Sequence, residues 1–547
     1  MANPLAVAGQ LAERYHRWVV RAFFGLLLLA GWQLAPDYGS FIDEELARDS
    51  GQVSLTYLYE CVPAAWLPAR AAARLAQLPA RAQLANYADN DHGVAFELPL
   101  ALLEKASNCA NMHDVLVLRH RAVFVVCWVG CLAFYWLAAQ RLDSWRVGLL
   151  GVALLLLSPR VSADFFYNSK DAVFLACCLV ATATAVAFLR QPRWQTAGWH
   201  ALACAVALDV RIMGVLVPVI TGAMLGLRAW YGDYAGRRVG RAGLVYLGAL
   251  PLLTVAGWPY LWAAPLARFG EVLRSTSHYR WTGPILYQGH LLPAGAPLPW
   301  SYVPVWVSIT TPVLYLGGLL LSLALLAQQL ARRGRQLYAA DEWQDLLFWA
   351  LGLGPVVAVL VLHAVLFDGW RHLYFAYPPL LLLALRGLVT AWRWQLGRVA
   401  VRLGWKVAVG MAVVSSLAFT GRQMVQLHPL ECLYFNGLAG SHPELRYEYD
   451  YWGLSLRQGM AWILAHDSRP LIRVQTNDPT TGLMDRYLLP LAGQGRLQLA
   501  RAPLPADYLI TTYRFHPQPY PLGLPVYSLR VEPEGRRVHD IFRLTPP

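Results

Sequence analysis

Apolar runs long enough to cross a lipid bilayer recur along most of this chain. A membrane-spanning helix needs about 20 predominantly apolar residues, and runs such as Ala172–Leu189 and Leu346–Phe367 are close to that length. Of the 547 residues, 57% are hydrophobic and only 14% are charged. A soluble protein of this length would need far more charge to cover its surface. The sequence therefore predicts an integral membrane protein that crosses the bilayer many times.

Basic residues fall mainly in the short connectors between these runs, for example at Arg190, Arg193, Arg332, Arg333 and Arg393. This distribution is typical of cytoplasmic loops. It accounts for the formal net charge of +13, and no basic stripe accompanies a nucleic-acid recognition motif. We therefore expect membrane lipids, and no nucleic acid, among the partners of the chain.

Hydropathy predicts about eleven transmembrane helices. They are expected at Trp18–Ala35, Val115–Leu137, Val147–Ser158, Asp171–Leu189, twice within 197–227, and at Ala242–Trp262, Val303–Leu330, Leu346–Phe367, Leu373–Val389 and Val407–Thr420. The run 197–227 is too long for one span and is interrupted by Asp209 and Arg211, so two short spans should meet there on the outer side. A cytoplasmic N-terminus and an odd count place the C-terminus outside.

The composition changes near Arg422, where proline and polar residues replace the long apolar runs. We expect a transmembrane catalytic domain over 1–424, with a large first outer loop at 36–114, and a small outer α/β domain over 425–547. In this last part, Ser455 and Gln458 resemble a capping box that opens a helix. Strand-like runs follow at 471–476, 506–514 and 526–544. The predicted fold class is a polytopic α-helical membrane protein with a small C-terminal extracytoplasmic α/β domain.

Ionisable and polar residues are concentrated at the outer ends of the expected spans. The candidate site residues are Asp43, Glu44, Asp91, His92, Glu97, Arg119, Arg160, Tyr167, Asn168, Lys170, Asp171, Arg211, Arg371 and His372. Charges beside spans are often only interface anchors. Two positions argue against that alternative: the helix dipole opposes Lys170 at a helix start, and an arginine such as Arg211 within an apolar run costs roughly 2.5–3.5 kcal/mol on insertion.

Acidic and basic groups from several outer turns can form one site at the membrane surface. Cations there would hold a phosphate as it gains charge on leaving, and a carboxylate would take the proton of an attacking hydroxyl. Each buried methylene of a lipid tail contributes about 0.8 kcal/mol. Such a site suits a substrate with a phosphate head and a lipid tail.

No carboxylate cage is visible in the sequence, so we expect no cofactor, and the need for a divalent metal stays open. A disulfide between Cys61 and Cys109 also stays open.

Several motifs resemble those of the GT-C glycosyltransferases, in the branch related to dolichyl-phosphate-mannose–protein mannosyltransferases and lipid A aminoarabinose transferases. They are the Asp43-Glu44 pair after the first span, the acidic and histidine stretch before Phe96-Glu97, Arg119 in the second span, Tyr167-Asn-Ser-Lys170-Asp171, Gly369-Trp-Arg-His372 with Tyr377-Pro-Pro379, and Asp450-Tyr-Trp-Gly453. The later motifs are similar to those of an uncharacterised bacterial subgroup, and relatives often have His-Pro-Pro where this chain has His92-Gly93.

The resemblance implies inverting transfer of a monosaccharide from a polyprenyl-phosphate donor to a lipid-, glycan- or protein-linked acceptor, at the outer face of a bacterial inner membrane. It implies that Asp43 is the general base and that Glu44 supports it. The other candidates would bind the donor phosphate or the substrate. Two rival functions remain: a transporter or flippase of a lipid-linked saccharide, and an O-antigen ligase or polymerase. The sugar, the acceptor and the oligomeric state are left open.

Overall fold

A computed structural model describes residues 4–63, 84–87, 89–234, 236–277, 281–333, 336–395, 397–477, 479–500 and 505–545. Within these residues, nine helices are long and apolar enough to cross a membrane, or ten if the bent pair Trp145–Leu156 and Pro159–Phe166 is one span. The polytopic α-helical fold class is therefore confirmed. The count of about eleven spans stays a prediction.

The helices of the bundle and its connectors are α1 Pro4–Leu34, α2 Glu44–Cys61, α3 Glu97–Ala106, α4 Met112–Arg141, α5 Trp145–Leu156, α6 Pro159–Ala163, α7 Asp171–Arg190, α8 Trp194–Leu208, α9 Leu216–Trp230, α10 Gly236–Gly257, α11 Pro265–Ser277, α12 Tyr302–Thr310, α13 Val313–Arg333, α14 Trp343–Leu362, α15 Tyr377–Arg393 and α16 Val399–Leu427. A hairpin of β1 Ile285–Tyr287 and β2 His290–Leu292 precedes α12.

Each expected span coincides with helical structure. The run 197–227 is divided into α8 and α9, which meet at Asp209–Arg211 as predicted, and α8 has only 15 residues. The expected span 303–330 is interrupted at Thr311 and Pro312, because proline has no N–H to continue the helix. The chain bends by 83° where the third expected span ends, between α5 and Pro159–Phe166.

Burial separates central helices from peripheral ones. In the most apolar window of the span that contains α7, and again of the one that contains α15, 78% of the residues are buried, against 6% in α16. A helix that is apolar all round belongs either in a core or against lipid, so α7 and α15 form the centre of the bundle and α16 its rim. Both central helices begin at the same end of the bundle, beside the charged residues described below.

The segment 36–114, after the first expected span, contains two helices that pack together, α2 and α3. The apolar stretch around 94–103 overlaps α3. Cys61 is exposed and Cys109 is half-buried, and both are free thiols. Residues 64–83 of this segment lie outside the described part of the chain.

The C-terminal part contains α17 Leu456–His466, α18 Pro479–Tyr487, α19 Leu491–Gln494, β3 Ile472–Thr476, β4 Leu497–Leu499, β5 Tyr508–Thr511, β6 Tyr527–Val531 and β7 Arg536–Arg543. The strands form a sheet in the order β4-β3-β5-β7-β6. β3 is parallel to β4 and β5, and the pairs of β7 with β5 and β6 are antiparallel. Buried residues of α17 pack on this sheet, including Leu456, Met460 and Ile463, which gives the predicted α/β arrangement.

The expected capping box is wrong. The hydroxyl of Ser455 makes no cap hydrogen bond to α17; it is buried and hydrogen-bonded to Nδ1 of His539 at 2.9 Å. The N–H groups at the start of the helix bond instead to carboxylates from other segments. Asp450 accepts from the N–H of Ser455 at 3.1 Å and Asp485 from that of Arg457 at 3.1 Å. Tertiary contacts therefore replace the local motif.

The C-terminal part is hydrogen-bonded to residues 36–40, at the start of the segment 36–114. Nη1 of Arg457 donates to the carbonyl oxygens of Pro36, Asp37 and Tyr38 at 2.7, 3.0 and 2.9 Å. Asp485 accepts from the N–H of Ser40 at 2.7 Å. The expected boundary at 424 lies inside α16, and residues 430–435 contribute to the hydrophobic core of the membrane helices.

Candidate functional site

A chain of alternating charges crosses the end of the bundle where α7 and α15 begin. Nη2 of Arg211 lies 2.8 Å from Oδ1 of Asp171. Nη1 of Arg371 lies 3.0 Å from Oδ2 of Asp171, and its Nη2 lies 3.2 Å from Oδ2 of Asp368. Arg514 of the C-terminal part then donates to both carboxylate oxygens of Asp368, at 2.8 and 2.9 Å. Four separate segments thus meet in one network.

Tyr167 and Asn168 hold the start of α7 in place. Oδ1 of Asn168 accepts from the N–H groups of Lys170 and Asp171 at 3.1 and 2.8 Å, which satisfies donors that a helix start leaves free. The amide nitrogen of Asn168 and the hydroxyl of Tyr167 both donate to Asp164, at 2.8 and 2.6 Å. Because Tyr167 and Asn168 are fully buried, their visible role is to orient Lys170 and Asp171.

The side chain of Lys170 contacts the acidic and histidine stretch at 89–92. Its Nζ lies 3.3 Å from Asp89, and Nδ1 of His92 lies 2.9 Å from Asp89 and 3.1 Å from Asp91. Burial would raise the pKa of Asp89, but His92 and Lys170 outweigh it and lower that pKa to about 2. Burial would lower the pKa of His92, and the two aspartates raise it. Asp89, Asp91 and His92 each offer a ligand atom, all within 4.8 Å of one another, so they could hold a metal ion.

Glu44, Glu97 and Arg119 form a buried network behind the site. The Arg119 guanidinium lies 3.4 Å from Glu44, 2.9 Å from Glu97 and 3.2 Å from Glu104. His120 lies 3.2 Å from Glu44. Burial would raise the pKa of Glu44, yet His120 and Arg119 lower it overall. These groups pair with one another, and their visible role is to join α2 and α3 to α4.

Asp43 differs from its neighbour Glu44. It stands at the start of α2 and is half-buried. Among the described residues, no side chain or backbone N–H is hydrogen-bonded to its carboxylate, although it interacts electrostatically with Arg371. A carboxylate without a fixed partner beside a site of this kind is free to accept a proton.

Arg160 and His372 are placed at the edges of this region. The Arg160 guanidinium donates from Nε to the carbonyl of Tyr434 at 2.8 Å and packs over the ring of Phe435 at 4.3 Å. His372 is half-buried and meets the ring of Phe367 edge-on at 4.7 Å. Neither makes an ion pair among the described residues, but His372 interacts electrostatically with Asp171, Arg211 and Arg371 and therefore lies beside the central network.

Six members of these networks were not among the predicted site residues: Asp89, Glu104, His120, Asp164, Asp368 and Arg514. Asp368 and Asp164 lie beside motif residues, so proximity to Arg371 and Tyr167 is a usable signal in the sequence. For Glu104 the sequence gives only a weaker signal: it is an acidic residue in α3, the helix that precedes the one with Arg119. Arg514 gave none, because it lies in an alternating segment more than 140 positions from Asp368, and only the fold brings them together.

The network combines the elements that a phosphate substrate requires. Nε of Arg211 and Nε of Arg371 are buried and have no hydrogen-bond partner among the described residues. The Arg371 guanidinium lies over the rings of Trp452 and Phe367, at 4.5 and 5.0 Å, which fixes its plane. Guanidinium groups match the geometry of phosphate oxygens. Cationic donors and a free carboxylate, Asp43, therefore stand at one end of the bundle.

Comparison with known proteins gives matches of structure only. No protein-family profile matches the chain, and no curated protein matches it in sequence. It is similar to the crystal structure of ArnT from Cupriavidus metallidurans in the apo state, with 14% identity and a TM-score of 0.47 over 96% of this chain and 98% of that one. It is also similar to the same protein bound to undecaprenyl phosphate, with 13% identity and a TM-score of 0.45 over the same shares.

Proposed function

We propose that the chain is an inverting glycosyltransferase that moves a monosaccharide from a polyprenyl-phosphate donor to a hydroxyl acceptor at the outer face of the membrane. The observation that carries this proposal is the position of Asp43. Among the described residues its carboxylate has no hydrogen-bond partner, and it interacts electrostatically with Arg371, whose guanidinium belongs to a network of buried charges. A base next to a phosphate-binding cation is the arrangement that sugar transfer from a lipid phosphate needs.

The cations supply the electrostatic part of the reaction. When the bond between the sugar and the phosphate breaks, the phosphate gains negative charge. Donors that are already fixed in position stabilise that charge without reorganising. Arg371 is held between Asp171 and Asp368, and Arg211 is held by Asp171, so both are fixed before the donor arrives. Lys170 is held by Asp89 and keeps 14% of its side chain exposed, so it can reach a headgroup from the side.

The carboxylate supplies the proton transfer. In an inverting reaction the acceptor oxygen attacks the anomeric carbon from the face opposite the phosphate. The acceptor loses its proton to Asp43, the new C–O bond forms, and the polyprenyl phosphate leaves with the electron pair of the broken bond. A base of this kind must lie within hydrogen-bond reach of the acceptor hydroxyl, and none of the described residues is hydrogen-bonded to the carboxylate of Asp43.

A transporter of a lipid-linked saccharide is the alternative from another class. Transport sites lie near the bilayer midplane, between repeated halves of the chain. The charged pairs described above lie instead at one end of the bundle, where α7 and α15 begin, and no internal repeat is visible in the sequence. Metal-dependent chemistry through Asp89, Asp91 and His92 is not required by the proposed reaction.

The deciding experiment uses purified protein in detergent with polyprenyl-phosphate sugars. Wild type should transfer sugar to an acceptor from at least one such donor, with release of polyprenyl phosphate. The same protein in vesicles should not equilibrate a lipid-linked sugar between the leaflets. Translocation without transfer would instead establish the transporter.

A further inference from the structure

The turn that carries Arg371 is held in place by the C-terminal part of the chain. In this turn Asp368 and Gly369 have positive φ angles of 55° and 74°, and a non-glycine residue such as Asp368 adopts that conformation only at a cost. Two contacts hold it. Arg514 donates to both carboxylate oxygens of Asp368, and Glu448 accepts from the N–H of Gly369 at 3.1 Å.

Arg514 is itself rigidly placed. Only 7% of its side-chain surface is exposed, and only 1% of that of Asp368. Its guanidinium packs over the rings of Phe515 and Trp281, at 4.6 and 5.9 Å. Trp281 in turn stacks on Phe367 at 3.8 Å, so aromatic rings enclose the ion pair. The contact is buried and charge-assisted, and a single nitrogen, Nη2 of Arg514, is shared between the two oxygens of Asp368.

The charges explain what Arg514 does for Arg371. Asp368 is shared by two guanidinium groups, and each neutralises part of it. Without Arg514, the whole charge of the buried Asp368 would act on Arg371 and draw it away from an incoming phosphate. Arg514 thereby keeps Arg371 placed between Asp171 and Asp368, where its Nε is not used by either carboxylate.

We propose that Arg514 is a positioning residue for the donor site, so that the C-terminal sheet completes the site instead of only capping the bundle. This inference rests on the proposed function, because it assigns Arg371 to the donor phosphate. Arg514 does not itself contact the donor. Its loss should therefore act on donor binding through Arg371 and should leave the base, Asp43, in place.

The test compares Arg514→Gln with Arg514→Lys, with the double variant Arg514→Gln/Asp368→Asn, and with Arg530→Gln. Arg530 is an exposed arginine of the same sheet that bonds only to the carbonyl of Gly535 among the described residues, so it is the matched control. We expect Arg514→Gln to raise the KM for the polyprenyl-phosphate sugar about tenfold, with a smaller change in kcat. Arg514→Lys keeps the charge but loses the planar guanidinium group. Its KM should lie between those of wild type and Arg514→Gln.

The double variant separates positioning from general damage. Removing the charge of Asp368 together with Arg514 should return the donor KM part of the way to wild type, because no uncompensated carboxylate then competes for Arg371. A merely structural loss would lower the amount of active protein, and so kcat, with KM unchanged. Such a result, or a wild-type KM in Arg514→Gln, would overturn the positioning role. If wild type itself transferred no sugar, the proposed function would be wrong, and the role of Arg514 would fall with it.

Discussion

Asp43 and Glu44 are adjacent carboxylates with different surroundings. The helix α2 begins between them, so Glu44 turns inward to Arg119 and His120, whereas Asp43 stays at the edge of the site. The motif resemblance assigns the base to Asp43 and a supporting role to Glu44, and the start of the helix explains why their surroundings differ. The structure therefore suggests that a conservative change at each position should damage a different property of the protein.

For Asp43→Asn we expect loss of transfer with folding preserved. General-base contributions are typically about 10²–10⁴-fold, and transfer by the purified variant should fall by about that factor. Its thermal melting should match wild type, because the carboxylate has no partner to lose. Transfer at the wild-type rate would move the base elsewhere, with Asp91 as the next candidate.

For Glu44→Gln we expect the opposite pattern. Arg119 and His120 would lose a buried anionic partner, and a buried donor left without its acceptor costs about 1–3 kcal/mol. The melting temperature should fall, while the transfer rate per folded molecule should change much less than in Asp43→Asn. Glu45→Gln, one position further along the same helix, is the control. Equal melting temperatures in Glu44→Gln and Glu45→Gln would contradict the buried network.

The three candidate phosphate ligands should also differ from one another. Replacement of Lys170, Arg211 or Arg371 by Gln should raise the donor KM, and should lower kcat as well if the contact strengthens in the transition state. The Arg371 variant should be the least stable, because it leaves both Asp171 and Asp368 with less compensation. Arg121→Gln is the control, because Arg121 is half-buried and its Nε donates to the carbonyl of Trp32, away from these ion pairs. Unchanged donor kinetics in all three would leave them as membrane anchors.

At the scale of elements, the spans could be predicted because the bilayer thickness imposes their length. The division of 197–227 also followed from Asp209 and Arg211, since charges are excluded from an apolar span. The C-terminal strands followed from alternation. The capping box failed because Ser455 is taken up by His539, a contact between positions 84 apart. The same limit applied to Arg514, since no local pattern encodes a partner on a distant element.

The segment that contains Glu448 should make stability depend on pH. Burial and, second, the nearby charge of Asp368 outweigh Arg514 and raise the pKa of Glu448 from its ordinary 4.5 to about 8. Because the folded form holds the proton more tightly, the stabilisation is fully present below pH 4.5 and is lost as the pH rises to about 8. The slope can reach about 1.4 kcal/mol per pH unit. Thermal melting of Glu448→Gln should therefore fall less than that of wild type between pH 5 and 8, and parallel curves would contradict the shift.

At the scale of the whole molecule, the two ends of the bundle carry different charges. At the end away from the site, Arg141 and Arg386 both form ion pairs with Asp345. The other basic connectors also belong to this end of the bundle. By the positive-inside rule this end should face the cytoplasm. The site and the C-terminal sheet should then face outward.

A reporter that is active only outside the cytoplasm tests this orientation. Fused after Pro547, it should be active, and fused in the basic connector after Arg333 it should not be. Immunoblots control for protein level. An inactive fusion at Pro547 with normal protein level would contradict the odd number of spans and the outer placement of the site.

The grip of Arg457 and Asp485 on residues 36–40 links the order of synthesis to the time at which the site can exist. The segment that ends at Asp43 is among the first to leave the ribosome, and the two residues that fasten it are among the last. A chain inserted up to its final span has Asp43 at the end of the first span but lacks the contacts of Arg457 and Asp485 that hold residues 36–40. The nascent protein should therefore stay silent while it is being made, and become competent only when the C-terminal part has been translocated and folded.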